Sequence, residues 1–343
     1  MSICEDEIVN LTGSATNSSN VYWTTSSSAT DTQFSSPNSV ATSYTPSAFD
    51  INTGNVTLTL HAISNSNCPE VTDDIVITIS KNPTADAGIA TTICEGSSYT
   101  VAASEATAQN YDSLLWTVSG GGSITAGATT LTPTFTPSVG LTGDVTLTLT
   151  ALAKPSCGAS NNAIATKTIT IVPSPFAAVP ATKTICQGTS LTILASEVTA
   201  TNYSSISWTS SNGLGTFSPA TSTTTAATVY SPAAGQTGTV DLILTATAID
   251  GSCSDATAAI SLTIEPAPIV DAGVGITICE NETFTVSGAS IFNGNGEFNW
   301  SIVGPAKIAA GTENTLNPEV IPNLGAFGTV TLTLEANGTI NCP

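Results

Sequence analysis

The feature that most constrains this chain is a period near 92 residues that runs through its tryptophans and cysteines. The tryptophans Trp23, Trp116, Trp208 and Trp300 are 93, 92 and 92 residues apart. The cysteines form two series with the same period: Cys4, Cys94, Cys186 and Cys279, each inside an "IC" phrase, and Cys68, Cys157, Cys253 and Cys342. A period of this length predicts a tandem array of like domains rather than one large fold.

Four copies of one unit account for the whole sequence. We divide the 343 residues into repeat 1 (1–81), repeat 2 (82–173), repeat 3 (174–266) and repeat 4 (267–343). Repeat 1 lacks the lead-in, the segment such as "ADAG" that precedes the later "IC" phrases, and repeat 4 stops before its last strand pattern. We therefore expect a segment of a longer polypeptide with two incomplete outer repeats, in which Met1 is an initiator or cloning residue.

Each repeat carries the same order of short strand patterns. The clearest pattern follows a glycine and alternates Val or Leu with Thr, as in "GDVTLTLTA" and "GTVTLTLEA", which is typical of a strand with one buried face. Another pattern ends on the tryptophan, as in "LLWTV" and "ISWTS". Six or seven such strands in about 90 residues predict an antiparallel β-sandwich of immunoglobulin type. The predicted fold is all-β, with four sandwiches in a row that form an elongated rod.

The charge balance excludes several classes of partner. The chain has 25 Asp and Glu residues against five lysines, has no arginine, and carries a formal net charge of −20. A nucleic-acid-binding protein needs clustered Lys and Arg to neutralise phosphates, and an anionic membrane surface would repel this chain. The sequence has no apolar run of 18 residues and no signal-peptide pattern at Met1, so we expect no membrane insertion.

The aromatic residues fall mostly in core positions. We predict that the four tryptophans, together with Tyr22, Tyr44, Phe135 and Tyr230, pack inside the sandwiches. A carbohydrate-binding module would instead need exposed aromatics grouped on one face. Tyr111 and Tyr203, in the matching turns "NYDS" and "NYSS", are the best exposed candidates for that alternative.

The cysteines are interpreted as disulfides rather than metal ligands or nucleophiles. They stand singly, 26 or more residues apart, whereas zinc sites need closely spaced ligands. The single histidine, His61, lies at a Thr position of the alternation and is expected to face solvent. Three repeats therefore have no histidine that could act as a base for a nucleophilic cysteine. Disulfides imply a location outside the cytoplasm.

Two pairing schemes remain open from the sequence. Pairing inside each repeat would give Cys4–Cys68, Cys94–Cys157, Cys186–Cys253 and Cys279–Cys342. In an immunoglobulin sandwich, however, the first turn and the last hairpin lie at opposite ends, roughly 20 Å apart for a six-residue strand. The second scheme joins the first cysteine of one repeat to the second cysteine of the next: Cys4–Cys157, Cys94–Cys253 and Cys186–Cys342. Cys68 and Cys279 would then pair with residues outside this segment.

The combined motifs resemble a known family. The order "ADAG", "TICEG", a Trp strand, "TPS", "VTLTLTA", Cys and "ITI" is similar to the PKD-like, immunoglobulin-like repeats of giant surface adhesins in gliding Bacteroidetes, which the type 9 secretion system exports. The resemblance covers essentially the whole chain. It implies a filament at the bacterial cell surface that takes part in surface attachment and gliding. Repeat 3 departs from the pattern with "AAVPATK", and repeat 4 reads "CEN" for "CEG".

The function expected from these patterns is a structural and adhesive repeat segment that acts as a stiff, disulfide-stapled stalk, and two further functions are weighed against it. Calcium could rigidify the linkers through Asp86 and Asp271, with Asp73 and Asp74, but repeat 3 has no acid in its lead-in and so cannot share such a site. Catalysis is not expected, because no catalytic motif recurs and general acids and bases are few. No cofactor is expected. The expected partners are neighbouring repeats of the same chain, with surfaces or polysaccharides as candidate ligands, and no nucleic acid.

Overall fold

The structure is a computed structural model that describes residues 1–27, 31–338 and 342, without the side chain of Asp31. These residues form 32 strands, one α-helix and three short 3-10 turns. The all-β prediction is therefore confirmed, and the strand order below is that of an immunoglobulin-like tandem array. The chain divides into two compact units, Met1–Pro173 and Ser174–Pro343, which are described separately.

Repeat 1 folds as two small sheets around one core. Its four-stranded sheet has the order β1-β6-β5-β3, and β2 pairs with β4 in the second sheet. β1 runs parallel to β6, and the other pairs are antiparallel. The elements are β1 (Ser2–Cys4), β2 (Val9–Thr12), β3 (Ser18–Thr25), β4 (Ala41–Tyr44), α1 (Ala48–Thr53), β5 (Asn55–Ser64) and β6 (Val71–Ser80).

Repeat 2 has the same plan with additional short strands. Its nine strands are β7 (Thr84–Asp86), β8 (Thr91–Cys94), β9 (Tyr99–Thr100), β10 (Thr107–Gln109), β11 (Tyr111–Ser119), β12 (Ser123–Ala126), β13 (Thr134–Thr136), β14 (Gly143–Ala153) and β15 (Ala163–Val172). The four-stranded sheet has the order β11-β14-β15-β8, the second sheet the order β12-β13-β9, and β7 pairs with β10. Again the "IC" strand, β8, runs parallel to the last strand, β15.

Repeat 3 opens the second unit and repeats this topology. Its strands are β16 (Phe176–Ala178), β17 (Thr182–Cys186), β18 (Leu191–Ile193), β19 (Thr199–Thr201), β20 (Tyr203–Ser210), β21 (Thr216–Ser218), β22 (Thr221–Ser222), β23 (Thr228–Ser231), β24 (Gly238–Ala248) and β25 (Ala256–Glu265). The sheets have the orders β17-β25-β24-β20-β22, β18-β23-β21 and β16-β19.

Repeat 4 has a smaller first sheet. Its strands are β26 (Ile269–Asp271), β27 (Phe284–Thr285), β28 (Ser290–Phe292), β29 (Phe298–Val303), β30 (Ala306–Ile308), β31 (Glu319–Pro322) and β32 (Thr331–Ala336). β29 pairs only with β32, while β27-β31-β30 and β26-β28 form the other sheets. Among the described residues of this repeat, no strand corresponds to β8 or to β15.

The alternation of Thr with Leu or Val sorts each long strand into an inner and an outer face. In β14, Val145, Leu147 and Leu149 are at most 1% exposed, while the threonines between them face outward. Burying a side chain of this size contributes about 2 kcal/mol to folding. Each repeat has its own apolar cluster of this kind. The four tryptophans are 2–6% exposed, and each lies opposite a leucine of the neighbouring strand: Leu60, Leu149, Leu244 and Leu334.

Trp23, Trp116 and Trp300 also make a polar contact at the edge of the core. The indole N–H of Trp23 donates to the Ser39 carbonyl at 3.0 Å, and that of Trp116 donates to the Thr130 carbonyl at 2.9 Å. Trp300 does the same with Thr315 at 3.1 Å. A buried indole N–H needs such a partner, so the tryptophan also fixes the loop that follows its strand.

Candidate functional site at the repeat junctions

The parallel pairing of the "IC" strand places the first cysteine of a repeat at the end where the chain leaves that repeat. Cys4 lies beside Ser80, Cys94 beside Val172 and Cys186 beside Glu265, and these partners are the last residues of their strands. The short phrase around each cysteine is therefore part of a junction, although it stands at the beginning of its repeat in the sequence.

The second cysteine lies at the opposite end of its repeat. In repeat 2, β14 and β15 pair from Gly143 opposite Ile171 to Ala151 opposite Ala163, and Cys157 lies in the hairpin beyond. With about 3.4 Å per residue, this ladder separates Cys94 from Cys157 by roughly 30 Å. A disulfide needs Cα atoms within about 7 Å, so the two cysteines of one repeat cannot meet.

The disulfides instead cross the junctions. Cys4 is bonded to Cys157 with a Cα–Cα distance of 4.5 Å, and Cys186 is bonded to Cys342 with a Cα–Cα distance of 4.8 Å. These two bonds rule out all four within-repeat pairs, since each of those pairs would use one of these four cysteines. The within-repeat scheme is wrong.

The remaining four cysteines differ from one another. Cys94 and Cys253 are both disulfide-bonded, and their pairing with each other stays a prediction of the second scheme. Cys68 and Cys279 are free and exposed in the structure, although the sequence assigned all eight cysteines to disulfides. In the second scheme these two are the cysteines without a partner in residues 1–343.

Hydrogen bonds converge on the linker beside the Cys4–Cys157 bond. The backbone N–H of Asn82 donates to Glu5 Oε1 at 3.0 Å. The side-chain oxygen of Asn82 accepts from Asn161 Nδ2 at 2.9 Å. Its carbonyl accepts from Asn110 Nδ2 at 3.3 Å. One linker residue is thus held by repeat 1 through Glu5 and by repeat 2 through two asparagines.

The junction between repeats 3 and 4 has the same arrangement. The N–H of Ala267 donates to Gln187 Oε1 at 3.1 Å, and its carbonyl accepts from Asn293 Nδ2 at 3.3 Å. Glu5 and Gln187 follow the first cysteine in the phrases "ICED" and "ICQG". Because either side chain supplies an acceptor oxygen, the motif tolerates Glu or Gln at this position.

A recurring asparagine is the functional residue that sequence reasoning missed. Asn17, Asn110, Asn202 and Asn293 all have positive φ, between 56° and 60°, and precede the tryptophan strand of their repeat. Asn202 Nδ2 donates to the carbonyl of the linker residue Ser174 at 2.9 Å, as Asn110 and Asn293 do to theirs. Asparagine is among the few residues that adopt this backbone region readily. Its constant place six or seven residues before each tryptophan was a usable signal.

The acids considered as calcium ligands have other partners. Asp86 Oδ1 accepts from the Gly88 N–H at 2.9 Å, and Asp271 Oδ1 accepts from the Gly273 N–H at 2.8 Å. Asp74 accepts from Thr59 Oγ1 at 2.7 Å, and Asp73 is exposed. Within the described residues, no three or more His, Cys, Asp or Glu side chains are grouped as a metal site would require. Asp86 and Asp271, the acids of the lead-in segments, therefore stabilise turns through these hydrogen bonds.

Four predicted tyrosine and histidine positions differ from expectation. Tyr111 and Tyr203, considered as exposed sugar contacts, are half-buried and pack against the cores of repeats 2 and 3. Tyr22, expected in the core, instead stacks on the His61 ring with 4.4 Å between centroids. His61 also bonds to Glu70 and Thr24, so its side chain is 19% exposed rather than free in solvent. The pKa of Tyr22 is raised, chiefly by its hydrogen bond to the Glu70 carboxylate.

Comparisons with known proteins do not identify a family for this chain. No family model matches the chain, and no curated protein matches it. Among solved structures, a titin I-band fragment I67–I69 is 11% identical over 77% of this chain and 95% of its own, with a TM-score of 0.41. The N-terminal eight Ig domains of Down Syndrome Cell Adhesion Molecule are 12% identical over 98% of this chain and 48% of their own, with a TM-score of 0.42. The human Desmocollin-1 ectodomain is 10% identical over 100% of this chain and 78% of its own, with a TM-score of 0.31.

No helix in residues 1–27, 31–338 and 342 is long and apolar enough to cross a bilayer.

Proposed function

We propose that the chain is a structural and adhesive spacer of an extracellular protein, in which disulfides between successive repeats make a stiff stalk. The observation that carries the proposal is the pair of junction-crossing bonds, Cys4–Cys157 and Cys186–Cys342. Enzymatic function is not part of the proposal, since the conserved geometry of the repeats lies in junctions and cores rather than in a pocket with catalytic groups.

The stiffness follows from how a junction restricts the linker. Neighbouring domains in one chain usually move relative to each other unless their interface is large. Here a covalent bond and hydrogen bonds to both ends of the linker residue replace a large interface. In the chain-entropy description, closing a loop with a sequence separation of 153 stabilises the folded state by about 5 kcal/mol.

The proposal extends to the central junction. Cys94 and Cys253 occupy the same positions in repeats 2 and 3 as Cys4 and Cys157 occupy in repeats 1 and 2. We propose that they are bonded to each other, so that every junction of the array carries one staple.

The location and partners are proposed from chemistry and from the family resemblance. Disulfides at equivalent positions support an extracellular protein. A net charge of −20 would keep such stalks soluble and mutually repelling, and threonine hydroxyls on outer strand faces suit weak contacts that add up along an array. The finer proposal is a Bacteroidetes surface adhesin, exported by type 9 secretion, that acts in surface attachment and gliding through contact with surfaces or polysaccharide.

Small-angle scattering of the purified chain tests the stalk. We expect the oxidised chain to give a long, well-defined maximum dimension, and the Cys4→Ser, Cys157→Ser double variant to give a broader distance distribution with a shorter mean. Cys68→Ser is the matched control, because Cys68 is free. Identical profiles for the oxidised chain and the double variant would show that the staples do not stiffen it.

A carbohydrate-binding module was the alternative from the sequence. It needs exposed aromatics, and its best candidates, Tyr111 and Tyr203, pack on apolar cores. It is therefore not proposed.

A further inference from the structure

Each observed disulfide passes over two other cysteines in the sequence. Cys68 and Cys94 lie between Cys4 and Cys157, and the bonds Cys4–Cys157 and Cys186–Cys342 span 153 and 156 residues. In an unfolded chain, the chance that two cysteines meet falls with about the 3/2 power of the loop length. The 26-residue loop between Cys68 and Cys94 would therefore close roughly 14 times more often than the 153-residue loop. Oxidation of an unfolded chain would favour the wrong pair.

The first cysteine of a repeat reaches the junction only when that repeat is complete. β1 is held by its parallel pairing with β6, which places Cys4 beside Ser80. Because β6 is the last strand of repeat 1, the sandwich fixes Cys4 only after the whole repeat has formed. Cys186 depends in the same way on β25, the last strand of repeat 3. The position of the first sulfur of each bond is therefore a product of folding.

The hairpin that carries the second cysteine docks through contacts that do not use the sulfur atoms. In the hairpin of Cys157, Ser156 Oγ donates to Ser80 Oγ at 2.8 Å. Asn161 Nδ2 of the same hairpin donates to Asn82 Oδ1 in the linker at 2.9 Å. Since these hydrogen bonds can form in a reduced chain, they can hold the two thiols together before any bond exists.

The folded repeats also keep the competing cysteines away from the junction. The ten residues of β6 separate Cys68 from Cys4 by roughly 30 Å. The ladder of β14 and β15 separates Cys94 from Cys157 by a similar length. A disulfide needs Cα atoms within about 7 Å, so the fold selects Cys4–Cys157 where chain statistics do not.

We propose that folding precedes oxidation in this chain, and that the substrate of the disulfide-forming reaction is a pair of folded, docked repeats. The reaction is thiol–disulfide exchange with an external disulfide as the oxidant. One junction thiolate attacks a sulfur of the oxidant, whose other sulfur takes up a proton and leaves as a thiol. The second junction thiolate attacks the cysteine sulfur of this mixed disulfide and releases a second thiol. The chain loses two electrons and two protons, and the oxidant becomes two thiols.

The burial of the bonded cysteines places the exchange before the final closure of the junction. Cys4 and Cys157 are 3% and 8% exposed, and Cys342 is 0% exposed. An oxidant cannot reach sulfur atoms that are buried to this extent, so it reacts while the docked hairpin is transiently open. Because the fold selects the partner, no disulfide isomerase is required.

The test compares two orders of refolding with oxidised glutathione as the oxidant. The reduced chain is either refolded before the oxidant is added or oxidised in denaturant and then refolded. We expect the refolded, reduced chain to show the circular dichroism of a β-sheet protein and to give Cys4–Cys157 on oxidation. Oxidation in denaturant should give Cys68–Cys94 in roughly 14-fold excess over Cys4–Cys157. Mass spectrometry of the alkylated and digested chain measures each pair.

One variant makes the test specific to a single junction. Asn161→Ala removes a docking hydrogen bond between repeats 1 and 2, so it should slow the formation of Cys4–Cys157 roughly fivefold in the refolded chain. Cys186–Cys342 in the same chain is the matched control and should form at an unchanged rate. Slowing at both junctions or at neither, a reduced chain without β-sheet dichroism, or the same pairs from both orders of refolding would overturn the proposal.

Discussion

At the scale of single residues, the junction depends on side chains that the strand patterns do not reveal. The sequence identified the cysteines and the tryptophans because both stand out by rarity and period. The asparagines with positive φ and the Glu or Gln after "IC" share the period, but they are polar residues in turns. There, side-chain hydrogen bonds to the backbone determine the structure, and hydrophobic alternation does not. Their role appears only when the linker carbonyl and N–H that they bind are located.

Asn110 offers a way to separate backbone strain from hydrogen bonding. Asn110→Gly removes the bond to the Asn82 carbonyl but keeps the φ of 60° accessible. Asn110→Ala also removes the bond but keeps a Cβ in the left-handed region without the polar side chain that lets Asn adopt it, which costs about 1 kcal/mol more than the Gly variant. We expect repeat 2 to be destabilised more by Ala than by Gly, measured as hydrogen exchange of β11 under mild denaturant. Equal effects would mean that strain at this position is negligible.

The buried Lys167 predicts a pH dependence for repeat 2. Its side chain is fully buried, and its ammonium group binds Glu105, the Ile89 carbonyl and Thr91 Oγ1. Burial raises the pKa of Glu105, but hydrogen bonds from Lys167, Tyr99 and the Ala102 N–H outweigh it, so the pKa lies below its usual value. A carboxyl group whose pKa is lowered by folding stabilises the folded state at pH values above its unfolded pKa of about 4.3. This stabilisation is lost as the pH falls through the pKa of the folded state.

Substituting the carboxylate should show this directly. Glu105→Gln leaves a buried ammonium unpaired, and we expect a loss of about 3 kcal/mol at pH 7 and a weaker dependence on pH below 5. The matched variant is Glu197→Gln in repeat 3, whose partner Lys183 is 29% exposed, so a smaller loss is expected. Thermal unfolding followed by tryptophan fluorescence from pH 7 to pH 3 provides the measurement. Equal losses in the two variants would contradict the role of burial.

At the scale of elements, the alternating strands were predictable and their partners partly so. "GDVTLTLTA" became β14 with the expected inner and outer faces, because burying one face fixes a period of two. The opposite ends of the two cysteine turns also followed from sandwich topology. The parallel pairing of the short "IC" strand did not, since three to five residues carry too little pattern to choose a neighbour.

The uneven burial of equivalent leucines gives an element-scale prediction. Leu147 in β14 is fully buried, and its deletion to Ala should cost about 2–5 kcal/mol. Leu332 in β32 occupies the same place but is half-buried, so Leu332→Ala should cost clearly less. Local hydrogen-exchange protection of each strand compares the two within one chain. A larger cost at Leu332 would show that its side chain is covered in solution.

At the scale of the whole molecule, the pairing scheme makes a simple chemical prediction. Alkylation of the unfolded, unreduced chain should add two labels, at Cys68 and Cys279, and none elsewhere. Digestion with chymotrypsin or a Glu-specific protease should then yield a peptide pair joined through Cys94 and Cys253. Cleavage after basic residues is unsuitable, because the chain has five lysines and no arginine. A Cys94 peptide joined to any other cysteine would contradict the staggered scheme at the central junction.

The Cys4–Cys157 bond has a mechanical consequence when the first unit is pulled at Met1 and Pro173. Tension that enters at Cys4 passes through the sulfur atoms to Cys157, so the residues between them lie on a side branch and carry none of it. The covalent path then contains about 20 residues, which can extend by at most roughly 70 Å, against about 600 Å for the reduced chain. Under load, an oxidised pair of repeats acts as a short tether even if both of its sandwiches unfold.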